Sequence, residues 1–313
     1  MFNSRISTGT AKMPSIVRLT LSISTILLLS FTALPLPAAD GWKHGYADSD
    51  GVKIHYVEAG AGPLLIMIHG FPDYWYSWRD QIPTLAKTHH VVAIDQRGFN
   101  RSDKPVGVEQ YAVNKLTADV ASVINHFKQT QATVVGHDWG GFVAWSFAME
   151  YPLKTAGLVI LNLPHPRGLT RELAANPRQH QNSEYARQFQ KPDAAGKLTA
   201  AGLAGWVRED DARDKYIEAF KRSSFEGMLN FYKANYPREP YSITDQLKKP
   251  VKCPVLIIHG LRDPYLLSGA LNDNWKWIER EMTLVTVPTA SHFVHREKPA
   301  LVTRRIARWL EDR

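Results

Sequence analysis

Apolar residues along this chain gather into short, unbroken runs. Such runs occupy residues 64–68, 91–94, 132–136 and 156–161, and two more follow at 254–258 and 284–287. A run with no polar alternate is what a strand covered on both faces requires, so these predict the strands of a mostly parallel sheet. Ahead of them, residues 45–59 read as a hairpin turned at Asp50-Gly51. Helical patterns at 77–86, 113–126, 141–151, 271–280 and 299–310 alternate with the runs and predict helices on both faces of the sheet. The rhythm breaks at Pro164. Residues 164–245 hold no parallel-strand pattern but several helical ones, among them 210–221 and 225–234; Pro164 and Pro166 open the segment, and Pro237 and Pro240 close it. A helical insertion between two strands of one sheet predicts a lid over the sheet's carboxyl edge. The expected organisation is a core of residues 40–163 and 246–313 and a cap of residues 164–245.

Composition narrows the classes. With 44% hydrophobic and 22% charged residues the chain has the makings of a packed core, which excludes a disordered protein. Its formal charge of +8 owes three cations, Arg5, Lys12 and Arg18, to a first segment without acids. No Lys/Arg run with interleaved aromatics occurs, so nucleic-acid binding is not expected. That first segment, residues 1–39, reads as a signal peptide: a basic start, an apolar stretch over 19–33, and small residues at Ala38-Ala39 before Asp40. The expectation is export to the periplasm or beyond, with no stable membrane anchor after cleavage. Cys253 is the only cysteine, which leaves no internal disulfide and suggests a small packed side chain. Neither His89-His90 nor His292 with His295 has a carboxylate or thiolate at ligand spacing, so no metal is expected. Gly60-Ala61-Gly62 precedes a strand and lacks a third glycine, so it reads as a turn; no cofactor is expected.

The chemistry is concentrated in Gly136-His137-Asp138-Trp139-Gly140. Small–x–acid–x–small between an apolar run and a helical pattern is the layout of a nucleophile elbow, a sharp strand-to-helix turn whose glycines let neighbouring backbones approach. The central residue is an aspartate. A carboxylate nucleophile attacks carbon and leaves an alkyl ester, which narrows the reaction sharply. Asp263 and His292 each follow a predicted strand, so all three residues are expected beyond the carboxyl ends of the strands, in the chain order nucleophile, acid, histidine. The competing structural readings are an N-cap for Asp138 and a turn cap for Asp263. His295 is a rival for the histidine role. His69 and His137 are expected to support the loop and the elbow, and the other histidines, including His89 and His90, to face solvent.

Four motifs together resemble the α/β-hydrolase-fold epoxide hydrolases, which are related to haloalkane dehalogenases. They are His69-Gly70-Phe71-Pro72 with Trp75-Tyr76-Ser77-Trp78-Arg79, the elbow with Gly141, His259-Gly260-Leu261-Arg262-Asp263, and Ser291-His292-Phe293 with Lys298-Pro299. The resemblance runs from about Asp50 to the C-terminus. It implies an eight-stranded, mostly parallel sheet with helices on both faces and a helical cap after strand six. It further implies Asp138 as nucleophile, His292 as general base for the hydrolytic water, Asp263 as its orienting acid, and the amides of Phe71 and Trp139 as oxyanion donors. Two cap tyrosines supply the proton an epoxide oxygen needs; Tyr185 and Tyr232 match them, with Tyr236 a weaker substitute for the second. The implied partners are a small hydrophobic epoxide and water. A haloalkane dehalogenase shares the scaffold but commonly has Asn or Glu at the position of Phe71, and a fluoroacetate-type enzyme carries arginines after its nucleophile where this chain has Trp139 and Phe142. A non-catalytic binder has no need of a charged nucleophile. Two departures stand out: Ser291 and Asn100 occupy places usually held by glycine, and Asn100 is expected in a left-handed backbone conformation.

Overall fold

The computed structural model describes residues 1–3, 9 and 42–313. The signal peptide expected over residues 1–39 lies almost wholly outside the described residues. The chain divides into two units, Met1–Leu36 and Pro37–Arg313, and the second carries all that follows.

Eight strands form one sheet: β1 (Lys43–Ser49), β2 (Val52–Ala59), β3 (Leu64–Ile68), β4 (His90–Ile94), β5 (Ala132–His137), β6 (Thr155–Leu161), β7 (Val255–Gly260) and β8 (Met282–Val287). Their spatial order is β1-β2-β4-β3-β5-β6-β7-β8. The first two pairings, β1 with β2 and β2 with β4, are antiparallel, and the rest are parallel. The short apolar runs have the cause their sequence implies: β3 and β7 are buried at every position. β8 differs. It is an edge strand, and Thr283, Leu284 and Thr286 are exposed, so its apolar run is not covered on both faces.

The helix Val113–His126 matches its predicted bounds, and Trp139–Glu150 and Pro299–Glu311 extend theirs slightly. Two expected helices are much reduced. Residues 77–86 form a 3₁₀ turn, Trp75–Trp78, and one helical turn, Ile82–Leu85. Residues 271–280 form no α-helix; the 3₁₀ turns Ser268–Leu271 and Asn274–Trp277 lie to either side of Asp273, whose φ of 63° is left-handed. Asn272, Asp273 and Asn274 favour local bonds over a helical ladder, and the buried Asn274 amide donates to Ala270 O at 2.8 Å.

Between β6 and β7 the chain forms the helices Pro166–Ala175, Pro177–Asn182, Glu184–Phe189, Ala200–Leu203, Asp210–Arg222 and Phe225–Asn235. Pro166 and Pro177 each start a helix, where a missing amide costs nothing. Specific bonds seat these helices on the core. The Tyr216 hydroxyl donates to Asp73 Oδ1 at 2.8 Å, Ser224 N donates to Gly98 O at 2.9 Å, and Asn235 Nδ2 donates to Tyr111 O at 2.8 Å. Trp206 stacks face to face on Phe293 with ring centroids 3.7 Å apart, and its indole donates to Pro72 O at 3.3 Å. Gly168 permits the closest approach, since a Cβ there would lie 2.2 Å from Ala270 O, and Gly227 another, 2.5 Å from the Tyr111 hydroxyl.

Asn100 has the left-handed φ of 40° that the missing glycine demands. Its side chain holds that conformation by donating to Asp95 Oδ2 at 2.8 Å and accepting from Arg222 Nε at 2.9 Å. Cys253 is buried and its thiol is pushed up to about 12 by burial, as a packed side chain should be.

Candidate active site

The strand order reverses between β3 and β5. The chain runs outward from β3 to β4 and then returns to place β5 on the other side of β3. Loops leaving such neighbours diverge and open a crevice at the carboxyl ends of the strands. Gly70 and Phe71 leave β3 there, and Asp138 leaves β5. Asp138 has φ 51° and ψ −121°, a strained conformation for a residue with a Cβ. It stands at the N-cap of Trp139–Glu150, but its side chain makes no cap bond. The carboxylate therefore faces the crevice, with the positive end of a helix behind it. The elbow glycines are set by space: a Cβ on Gly136 would strike Gly140 O, and one on Gly140 would strike Ile68 O.

Three loops bring the predicted residues together. His292 Nδ1 lies 2.8 Å from Asp263 Oδ2, and His292 Nε2 faces Asp138 Oδ2 at 3.5 Å. All three side chains are buried. The Phe71 amide donates to Asp138 Oδ1 at 2.8 Å, while the Trp139 amide, first in its helix, has no intrahelical acceptor. Charge follows from this geometry. Burial works to raise the Asp138 carboxyl, but contact with His292 and the Phe71 amide outweigh it and hold the group below its ordinary range. Asp263 is likewise opposed by burial yet brought down to about 2, chiefly by the charge of His292. Burial works against a charged His292, but Asp263 and Asp138 together raise it well above its ordinary value. The resting site is an imidazolium between two carboxylates.

Above Asp138 lie the tyrosines. The Tyr185 and Tyr232 rings are 6.1 Å apart, and Tyr232 packs edge-on against Trp139 at 4.8 Å and Phe71 at 5.5 Å. Both hydroxyls are raised well above 10, first by burial and then by neighbouring negative groups including Asp138, so both hold their protons. Tyr236 is raised to about 12, chiefly by burial, which outweighs its hydrogen bond with Ser183. Asp138, Tyr185 and Tyr232 line two cavities, of about 300 Å³ on the His292 side and about 50 Å³ on the other.

Residues 63–299 match the family model described as the alpha/beta hydrolase fold. The chain is 34% identical to Epoxide hydrolase 1 of Caenorhabditis elegans over 287 residues, 87% of this chain and 71% of that protein. It is 31% identical to Epoxide hydrolase A of Mycobacterium tuberculosis over 309 residues, 84% of this chain and 95% of that protein. This chain belongs to the epoxide hydrolase family of the α/β-hydrolase fold. Among solved structures, a variant of the Bacillus megaterium epoxide hydrolase complexed with its product, a naphthyloxy-propane-1,2-diol, superposes with a TM-score of 0.80 at 31% identity, covering 85% of this chain and 100% of that one.

Several residues of this epoxide hydrolase family member serve the site without being evident in its sequence. Asn162, with φ 44° just after β6, donates to Asp263 Oδ2 at 2.8 Å and to Ser291 O at 3.1 Å, and accepts from Gly260 N at 3.3 Å. It ties the acid loop to the histidine loop, and the signal that could have found it is its place at a strand's carboxyl end. Asp263 Oδ1 is held by the amides of Tyr265 and Leu266 at 2.8 and 3.1 Å. Ser291, in place of glycine, donates its amide to Glu297 Oε2 at 2.9 Å. The supporting histidines behave as expected. His69 Nδ1 donates to Gly70 O at 2.7 Å while Nε2 accepts from Gln96 N, and His137 Nε2 donates to His292 O at 2.9 Å.

His295 does not compete with His292. Its Nε2 pairs with Ser77 Oγ at 2.6 Å, and burial keeps it neutral. The expectation that the remaining histidines face solvent fails: His55, His165 and His259 are buried, and His90 pairs with Glu58 at 2.6 Å. His55 and His259 are held within strands β2 and β7 and His165 caps the helix Pro166–Ala175, so the fold buries them. Asp73, His137 and His295 present ligand-capable atoms within 4.8 Å of one another, the one such group among the described residues. Linear spacing hid it because a loop, the end of β5 and the short helix Val294–Glu297 each contribute one residue. Asp73 is already engaged by Ser77 Oγ at 2.6 Å and by Tyr216, and burial pushes its carboxyl up to about 6.

Proposed function

We propose that this protein hydrolyses epoxides to vicinal diols through a covalent ester of Asp138. The observation that carries the reading is geometric: the buried Asp138 carboxylate has His292 at 3.5 Å on one side and shares its cavities with the paired tyrosines Tyr185 and Tyr232. One carboxylate oxygen attacks a ring carbon and the C–O bond of the ring breaks. The departing oxygen takes a proton from Tyr185 or Tyr232, which becomes the tyrosinate. A halide would leave without such a donor, so the paired hydroxyls favour the epoxide over a haloalkane.

Esterification erases the negative charge on Asp138 and with it part of what holds the proton on His292. The imidazolium then releases a proton, which restores the tyrosine. Neutral His292, held in the useful tautomer by Asp263, draws a proton from water as that water attacks the ester carbonyl. The oxyanion faces the amides of Phe71 and Trp139, each worth about 3 kcal/mol when well aimed. Collapse of the tetrahedral intermediate frees the diol and restores Asp138. Single turnover in heavy-oxygen water tests the route. The label is expected in Asp138 first and in the diol only on later turnovers; label in the diol at once refutes it. The acid-free segment before Asp40 supports export as well, and the N-terminal mass of the protein expressed with its full leader, intact or cut near Ala39, decides that point.

A further inference from the structure

Asp138, Tyr185 and Tyr232 are the residues common to the two cavities, so any ring held between nucleophile and hydroxyls straddles both. The cavities differ in size and in wall. The larger, about 300 Å³, is faced with rings from Phe71, Phe189, Trp206, Tyr265 and Phe293. The smaller, about 50 Å³, is walled by Trp139, Phe142, Leu163, Leu169 and Leu266. Among its polar side chains, the Thr170 hydroxyl donates to Pro166 O and the Asn235 amide donates to Tyr111 O and Phe231 O.

We infer that the substrates are lopsided epoxides, with a flat aromatic group on one ring carbon and at most a two-carbon apolar group on the other. This rests on the epoxide reading above. With the ring oxygen toward the tyrosines and one carbon against Asp138, substituents on the two carbons point into opposite cavities. An apolar cavity of about 150 Å³ holds benzene. The larger space is about twice that, room for a bicyclic aromatic, and its ring-lined wall offers edge and face contacts. The smaller is about a third of it, room for roughly two carbons. An anionic second substituent would meet no cation there.

The test is a series in which phenyl oxirane carries hydrogen, methyl, ethyl, butyl or phenyl, trans, on its second ring carbon. The kcat/KM values are expected to stay within about threefold through ethyl and to fall at least about 100-fold for butyl and phenyl, the scale of a 1 Å displacement of the reacting carbon. Leu169→Ala and Phe142→Ala, which enlarge the smaller cavity from two sides, are expected to raise the ratio of butyl to phenyl oxirane kcat/KM at least about 10-fold. A flat series, or a butyl penalty that neither folded variant relieves, overturns the inference. No turnover of phenyl oxirane by the unaltered enzyme would instead overturn the epoxide reading itself.

Discussion

Gly70→Ala isolates how tightly the oxyanion loop is fitted to the nucleophile. Gly70 is not among the positive-φ residues, so alanine meets no backbone objection and only space opposes it. A Cβ there would lie 2.5 Å from Asp138 Cβ, 2.6 Å from Asp138 Oδ1 and 2.9 Å from His137 O. Ordinary contact begins near 3.4 Å, so the elbow and the loop must separate by most of an ångström. Overpacking of this kind costs about 1–3 kcal/mol of stability. The larger effect is on rate. The same movement carries the Phe71 amide, now 2.8 Å from Oδ1, away from the oxygen it must stabilise. A 1 Å misplacement costs about 100-fold, and a weakened oxyanion donor adds to that in the hydrolytic step. The assay pairs thermal unfolding with rapid-quench mass analysis of the Asp138 peptide, which separates ester formation from ester hydrolysis. Gly196→Ala is the control, because a Cβ there meets nothing within 4 Å. A folded Gly70→Ala enzyme with both steps within about threefold of the parent would refute the claim that this contact positions the nucleophile.

Asp263→Asn leaves Asp138 to form the ester but removes the charge that holds the His292 tautomer; ester hydrolysis is expected to fall about 10⁴-fold, with the Asp138 adduct accumulating in intact mass spectra. Tyr185→Phe and Tyr232→Phe should each slow ring opening about 10- to 100-fold and the double variant far more, read as single-turnover ester formation, since each hydroxyl can replace the other as donor. Acid should destabilise the fold between pH 6.5 and 4: buried His165, lowered to about 3, and His137, lowered to about 4, stay neutral in the native state while the unfolded chain takes up their protons. His165→Asn, which keeps an acceptor for the Arg167 amide, should reduce that pH-dependent loss by about 3 kcal/mol in denaturant titrations. Asp73, raised to about 6, acts in the opposite sense and protonates first in the native state, so its contribution is lost as pH rises.

The parts of this molecule that could be read from its sequence are those governed by local rules. β3 and β7 announce themselves because a doubly covered strand tolerates no polar alternate, and Val113–His126 does so because its stripe is periodic. The elbow is legible because Gly136 and Gly140 meet neighbouring backbones, a demand no other residue meets. Residues 271–280 defeated the same reasoning. Their apolar spacing fits a helix, but the Asn-Asp-Asn interior chose side-chain bonds and a left-handed Asp273. The Leu284 run misled for a different reason: covering depends on a strand's position in the sheet, and edge position is a property of topology, not of the run. Asn162 and the Asp73–His137–His295 group could not be read from spacing, since their meaning lies in contacts 100 or more residues apart in the chain for Asn162 with Ser291, and between a loop, a strand end and a short helix for the others.

The same logic explains why the resting charges alternate as they do. A carboxylate poised to attack carbon must be ionised yet dry, and burial alone would protonate it. The imidazolium supplies the counter-charge without occupying the side of Asp138 that meets the tyrosines. On the proposed route its proton is loosened by esterification itself, because the ester carries no charge to hold it. An arginine in that place would keep Asp138 ionised equally well but could never become a base. Asp263, 2.8 Å from His292 Nδ1, would set the balance on the proposed route: it sustains the charged form before attack and afterwards, as the remaining carboxylate partner, orients the ring toward water. The two tyrosines complete the circuit from the opposite face, where burial keeps their protons in place until an alkoxide of greater basicity forms.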